Sequence, residues 1–295
     1  MDIALATCAD LPDWEVDDRP LHAALRDRGV DLHQPVWDDS GVSWDRFDAV
    51  LIRTTWDYHL KRDLFVAWAE TVAGQTLLMN PASVIGWNTH KSYLRDLAER
   101  GMPTVDTLWL DAGDSVDIEA ECSTRGWTRG FIKPQVGATA RETLRFDVTP
   151  EGLLAAKQHI DRLLPCEGLM VQPYMESVET HGEVSALFID GSFSHGVRKV
   201  PVAGDYRVQD DHGASDEPYT FAVEETDRLG EFLSGLDEDL LYARFDMLRH
   251  PDGSLRLIEL ELVEPSLFFR HGPGAAERLA DAVIRRAQLR AKRVG

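Results

Sequence analysis

The chain has 295 residues, 43% hydrophobic and 28% charged, the balance of an ordinary soluble globular protein and a length that allows two or three domains with a sizeable core. Its net charge of −20 argues against a nucleic-acid partner, and no apolar run approaches the roughly 20 residues of a membrane span. The opening MDIALATCAD lacks the basic region of a signal peptide, so a cytoplasmic location is expected, and Cys8, Cys122 and Cys166 are too few and too scattered for a disulfide framework or a zinc pattern. If the ligand is an anion, the site has to supply local positive charge against that background.

In chain order, residues 2–7 form a short apolar run that reads as a buried strand, and 19–29 as a helix with Leu21, Ala24 and Leu25 on one face and Gly29 as its stop. Strands are expected over 30–37 and 47–53 and a helix over about 60–73. This alternation predicts an α/β unit over residues 1–85. The stretch Arg53-Thr54-Thr55-Trp56-Asp57-Tyr58 follows directly on a strand. Ligands of open α/β sheets sit beyond the carboxyl ends of strands, which makes Arg53, Trp56 and Asp57 candidates for a substrate pocket. A capped strand–helix turn, with Asp57 on free N–H groups and Trp56 in packing, is the alternative.

Asn80-Pro81 breaks the pattern and marks a first domain boundary. Asn88-Thr89-His90-Lys91 leads into a helix over 92–100. Residues 130–134 read as an apolar strand ending at Lys133-Pro134, followed by the small-residue turn 135–141 with Gly137 and Ala138, and a strand over 142–146. Such a turn lets backbone N–H groups approach phosphate oxygens while a lysine adds a point charge, although strand–Gly–strand hairpins are common and this is not a Walker loop. A helix over 150–164 follows, and the second unit is bounded at 86–168. In the third, 169–295, the strand 168–175 ends at Gln172-Pro173-Tyr174-Met175. Strands 181–189 and 192–200 are joined by Asp190-Gly191, a strong hairpin signal. The polar stretch 203–218 reads as a mobile loop or lid, 221–236 as a helix, and 275–290 as a helix with basic residues toward its C-terminus.

Residues 240–269 read as two strands around the turn His250-Pro251-Asp252-Gly253-Ser254. Glu259 and Glu261 are two apart and leave the same face of a strand, and a hairpin that brings Asp246 to that face gathers three carboxylates. Half-buried, such a group needs a counter-charge, and hard oxygen ligands suit Mg²⁺ or Mn²⁺. A one-sided sheet with solvated acids gives the same alternation.

The order of these pieces resembles the ATP-grasp superfamily: Asn88 to Lys91 before a helix, Lys133-Pro134 with its small-residue loop, Gln172-Pro173-Tyr174-Met175, Gly182-Glu183, and Asp246 with Glu259-x-Glu261. The match spans about residues 80–269 and is nearest the glutathione synthetase-like and ribosomal-modification-ligase-like branch, in detail the D-cycloserine synthetase type. The resemblance implies an N-terminal α/β domain followed by two α+β subdomains that hold ATP between them. It implies Lys91 and Lys133 on the phosphates, Gly137 and Ala138 closing over them, Gln172, Pro173, Tyr174 and Met175 on adenine, and Glu183 on ribose. Asp246, Glu259 and Glu261 would bind Mg²⁺, and Lys199 would steady the transferring phosphate, with Arg198 on the opposite face ranked below it. Acceptor choice would fall to Arg53, Trp56, Asp57, Glu264 and Ser266, with Arg270 on the substrate carboxylate or, alternatively, in a surface salt bridge.

The implied activity is ATP- and Mg²⁺-dependent formation of an amide-type C–N bond on a small amino-acid-like substrate through an acyl phosphate. Ring closure of O-ureido-D-serine to D-cycloserine is the favoured case. An intermolecular amino-acid ligase, a kinase-like transfer and a non-catalytic nucleotide binder are the alternatives. ATP-grasp ligases are often dimers, though no stretch here says so. Two positions depart from the superfamily pattern: Glu261 stands where it often has asparagine, and Ser185 where an arginine follows the ribose acid.

Overall fold

A computed structural model of the chain describes residues 1–10, 17–138, 140–202, 204–208 and 213–294, and the described strands form three sheets in chain order. The first is parallel, order β2-β1-β3-β4, from β1 (Asp2–Thr7), β2 (Asp31–His33), β3 (Ala49–Thr54) and β4 (Leu77–Met79). β1 and β3 are buried along nearly their whole length, as their unbroken apolar runs require of parallel strands covered on both faces. The covering elements are α1 (Arg19–Asp27), which turns Leu21, Ala24 and Leu25 inward, and α2 (Arg62–Gln75), which turns Phe65, Ala69 and Val72 inward. Of the expected strand over 30–37, only Asp31–His33 pairs along β1, with one further bridge from Thr7 to Val36.

Two short helices, α3 (Ala82–Asn88) and α4 (Tyr93–Glu99), lead to the second, antiparallel sheet, order β5-β8-β6-β7. It comprises β5 (Leu108–Leu110), β6 (Arg129–Pro134), β7 (Leu144–Asp147) and β8 (Leu169–Pro173), backed by α5 (Ile118–Arg125) and α6 (Pro150–Leu163). β8, at the start of the expected third unit, pairs with β5 and β6 here because its apolar run completes the core over Ile160 and Leu163.

The third sheet, order β11-β10-β9-β12-β13, follows a single turn, α7 (Ser177–Thr180). β9 (Glu183–Ile189) and β10 (Ser192–Val200) are joined by Asp190 and Gly191, both at positive φ, the backbone that a two-residue hairpin needs. β11 (Ser215–Tyr219) lies inside the segment read as a lid: it pairs along β10 from Gly196 to Val200, a partnership its polar composition hides. Of that segment, residues 203 and 209–212 lie outside the described residues. After α8 (Val223–Ser234), β12 (Tyr242–Arg249) and β13 (Leu255–Glu261) form the expected hairpin, and α9 (Ala275–Val294) packs its alanine-rich face onto β9 and α1.

β13 is the sheet edge nearest α3 and α4, and side chains rather than a strand satisfy much of its outer backbone. Asn88 donates to the Leu260 carbonyl and accepts from the Leu262 N–H, and the Leu260 N–H donates to the Tyr93 hydroxyl. Asn80, fully buried, donates to the carbonyls of Tyr242 and Leu262 and accepts from the Leu241 N–H at 2.6 Å. Removing such a side chain strands backbone groups without water. Asn80→Ala is expected to lower unfolding free energy by about 3 kcal/mol, read as a shifted denaturation midpoint at unchanged m-value.

Candidate active site

The pleat of the third sheet decides what faces its neighbours. Asp246 is opposite Glu259, and Arg244 opposite Glu261, across β12 and β13; Glu183 is opposite Lys199, and Ser185 opposite Asp246, across β9 and its partners. With side chains alternating along each strand, these seven residues share one face, while Val184, Ala186, Phe245 and Leu260 on the other face join the core beneath α4 and α8. That polar face forms the floor of a cavity of about 680 Å³.

Charges on the floor neutralise one another. Glu259 accepts from Lys91 at 2.9 Å and from Lys133 at 3.4 Å. Lys91 is held there by its own backbone N–H, which donates to the Gln135 carbonyl at 2.7 Å. Asp246 accepts from Arg244 at 2.8 Å, Lys199 at 3.3 Å and the Ser185 hydroxyl at 2.6 Å. Glu261 accepts from Arg244 at 2.6 Å, and Glu183 pairs with Lys199. Burial opposes ionisation of Asp246, but Arg244 and Lys199 outweigh it and hold the carboxyl well below the usual carboxylate range. Glu259 is likewise penalised by burial and pulled down to about 2 by the two lysines. For Glu261, burial dominates over Arg244 and pushes the carboxyl up to about 7. Burial, then the neighbouring Lys91, lowers the Lys133 ammonium even against Glu259.

Toward the hinge of the second and third sheets the wall turns apolar and aromatic: Phe131, Tyr174, Met175, Val178, Leu248 and Ile258, with Val208 and Tyr206 from the 204–208 segment. Tyr206 meets Phe131 edge-on at 5.2 Å and shares a 2.9 Å hydrogen bond with Thr143. Gln172, Pro173, Gly137 and Ala138 line the same space, Gln172 donating to the Thr107 hydroxyl. On the opposite side, the loop after β3 contributes Trp56, Asp57, Tyr58 and His59, facing Glu264 and Ser266 beyond β13. Trp56 donates to the Glu264 carbonyl at 3.3 Å, and Asp57 accepts from Trp37 at 2.7 Å. An apolar slot and a floor with three lysines and four convergent carboxylates together fit a purine nucleotide with a divalent cation.

The structure thus brings Lys91, Lys133, Gly137, Ala138, Gln172, Pro173, Tyr174, Met175, Glu183, Lys199, Asp246, Glu259, Glu261, Trp56, Asp57, Glu264 and Ser266 to one cavity. Three expected residues are elsewhere. Arg53 is buried behind the wall, bidentate to Asp18 at 2.7 and 2.9 Å and donating to the Pro265 carbonyl at 3.0 Å, so it braces the segment that carries Glu264 instead of reaching substrate. Arg198 pairs with Glu217 on the outer face of β10, as strand alternation from Lys199 dictates. Arg270 is engaged by Asp216 and by Asp17 at 3.1 Å, outside the cavity lining. Arg244 belongs to the site and was not anticipated; its spacing of two from Asp246 was the available signal. Tyr58, Phe131 and Tyr206 likewise line the cavity.

Burial, then the Glu261 charge, pushes the Glu264 carboxyl up to about 8 from a model-peptide value of 4.5. A raised folded-state value means the fold binds this proton more tightly than the unfolded chain, so stability is full below about 4.5 and declines as pH rises toward 8. Without nucleotide or metal, the thermal midpoint is expected to fall over that window, and Glu264→Gln to flatten the fall measurably; identical slopes would contradict the burial of this charge.

Residues 3–80 match the family described as the N-terminal domain of D-cycloserine synthetase DcsG. The chain is 32% identical over 301 residues to the cycloserine biosynthesis protein DcsG of Streptomyces lavendulae, covering 96% of this chain and 98% of that protein. The crystal structure of D-cycloserine synthetase DcsG superposes with a TM-score of 0.87 at 29% identity, over 97% of this chain and all of the other. At the level of fold alone, D-alanine–D-alanine ligase from Bacillus anthracis, complexed with ATP, gives a TM-score of 0.70 at 15% identity over the whole of both chains.

Proposed function

Because this chain belongs to the D-cycloserine synthetase family of ATP-grasp ligases, we propose that it closes the isoxazolidinone ring of D-cycloserine by activating the carboxylate of O-ureido-D-serine with ATP. The chain is an ATP-dependent ligase. The main support for the proposal is the floor of the cavity, where two lysines, Arg244, Lys199 and three carboxylates converge between an aromatic slot and the amphipathic wall of the N-terminal sheet.

In this reading the slot of Phe131, Tyr174, Met175 and Ile258 takes the adenine, and Lys91 and Lys133 face the phosphates beneath Gly137 and Ala138. Asp246, Glu259 and Glu261 would hold Mg²⁺, which supplies neutralisation of phosphate charge. Lys199, set between Glu183 and Asp246, steadies the phosphoryl group as a carboxylate oxygen of the substrate takes it from ATP, leaving ADP. The nitrogen bonded to the side-chain oxygen then attacks the acyl carbon and phosphate departs. The carbamoyl group left on that nitrogen is lost to water as carbon dioxide and ammonia, giving the free ring. Arg244 is fixed by Asp246, Glu261 and the Ser266 carbonyl and needs no reorganisation to stabilise the oxyanion that develops on the acyl group. No side-chain nucleophile is needed.

The test is ADP release with Mg-ATP and O-ureido-D-serine alongside a panel of amino acids and dipeptides, with products identified by mass. Ring product with O-ureido-D-serine supports the reading; turnover confined to pairs of acceptors would replace it with an intermolecular ligase. Glu259→Gln is expected to reduce turnover by about 10²-fold or more while unfolding stays cooperative. Lys133→Ala should weaken ATP binding about tenfold or more by titration, and unchanged affinity would remove it from the phosphate site.

A further inference from the structure

The acids around the cavity are not equivalent. Glu183, Asp246, Glu259 and Glu261 each pair with a lysine or arginine, Asp57 accepts from the Trp37 indole, and Asp10 is exposed to solvent. Glu264 differs. Among the described residues no basic side chain pairs with its carboxylate, yet it lines the same cavity on the side of the N-terminal sheet. The segment that carries it is rigid: Trp56 donates to its carbonyl, and the next carbonyl, of Pro265, is held by the buried Arg53–Asp18 pair. The Tyr58 phenol is raised well above its usual value, by burial first and next by the Glu264 charge, and both side chains line the same cavity. A half-buried carboxylate without a counter-charge is costly, and Glu264 is raised to about 8 accordingly.

A cation brought by the ligand would complete this site. A divalent cation is already offered convergent carboxylates on the floor, and Glu264 is a single carboxylate between aromatic side chains. A primary ammonium asks for a carboxylate and tolerates aromatic faces around it. We propose that Glu264, walled by Trp56 and Tyr58, is the specificity-determining residue that binds the α-ammonium of the amino-acid substrate. This rests on the ligase reading above. The substrate carboxylate then lies toward Arg244 and Lys199, and Arg244 is already tied to Ser266, two residues from Glu264. With the ammonium and carboxylate each fixed, the nucleophilic tail is left free to turn back on the acyl carbon.

The experiment compares kcat/KM for O-ureido-D-serine and its des-amino analogue, 3-(ureidooxy)propanoic acid, in the intact protein and in Glu264→Gln. A site built around a charged group rejects the ligand that lacks it, so the intact protein is expected to favour the amino acid by on the order of 10⁴-fold. In the variant that ratio should collapse to about tenfold or less, chiefly through a raised KM for the amino acid, with KM for ATP unchanged. A ratio preserved in the variant, or equal losses on both acceptors, overturns the assignment while leaving the ligase reading intact. If Glu264→Gln fails to bind ATP, Glu264→Asp is measured in the same way: a reduced ratio supports the assignment and an unchanged one overturns it. Absence of turnover of the amino acid by the intact protein that binds ATP removes the substrate reading and this inference together.

Discussion

Arg244 is the constraint on which the rest of the site depends. Its guanidinium is buried, spans Asp246 and Glu261 on two strands, and reaches the Ser266 carbonyl beyond β13. Three carboxylates on one sheet face repel one another, and without this fork and the two lysines on Glu259 the face would have to protonate or splay. Arginine suits the task because its planar donors address two acids and a carbonyl at once and remain charged at any relevant pH. The floor is therefore pre-neutralised, and groups that would handle phosphate and metal are positioned by the same contacts that make their burial tolerable.

The three sheets contribute unequal parts. The antiparallel third sheet supplies fixed acids and part of the aromatic slot, the second supplies Lys133 and Phe131, and the parallel first sheet supplies the loop after β3 with Cys8 and Asp10 after β1. The first sheet's contact with the segment after β13 runs through Trp56 on the Glu264 carbonyl and Arg53 on the Pro265 carbonyl.

The acids and lysines of the floor were legible because period-2 alternation and strand-end position are local properties. The same alternation points to Arg244, but an arginine within a strand reads as solvated until its partners are known. Arg53 and Arg270 illustrate the opposite error. Both are near a strand end or the β12–β13 hairpin, yet their partners, Asp18 and Asp216, lie 35 and 54 residues away, and nothing local announces them. β11 was hidden for a similar reason: Ser-Asp-Glu-Pro-Tyr has little strand propensity, and only pairing along β10 makes it a strand. The aromatic slot mixes residues from β6, β12, β13 and the 204–208 segment, a coincidence of tertiary structure with no spacing of its own.

The treatment of β13 also bears on self-association. An unpaired strand edge is a template for another chain, but here Asn80, Asn88 and Tyr93 have already taken backbone groups of Leu260 and Leu262. The far edge, β11, carries Asp216, Glu217 and Pro218, two charges and a residue that cannot donate. Both rims of the five-stranded sheet are thereby poor templates for another strand: pairing at β13 would first have to undo those side-chain bonds, and pairing at β11 would bring charges and a proline to the seam.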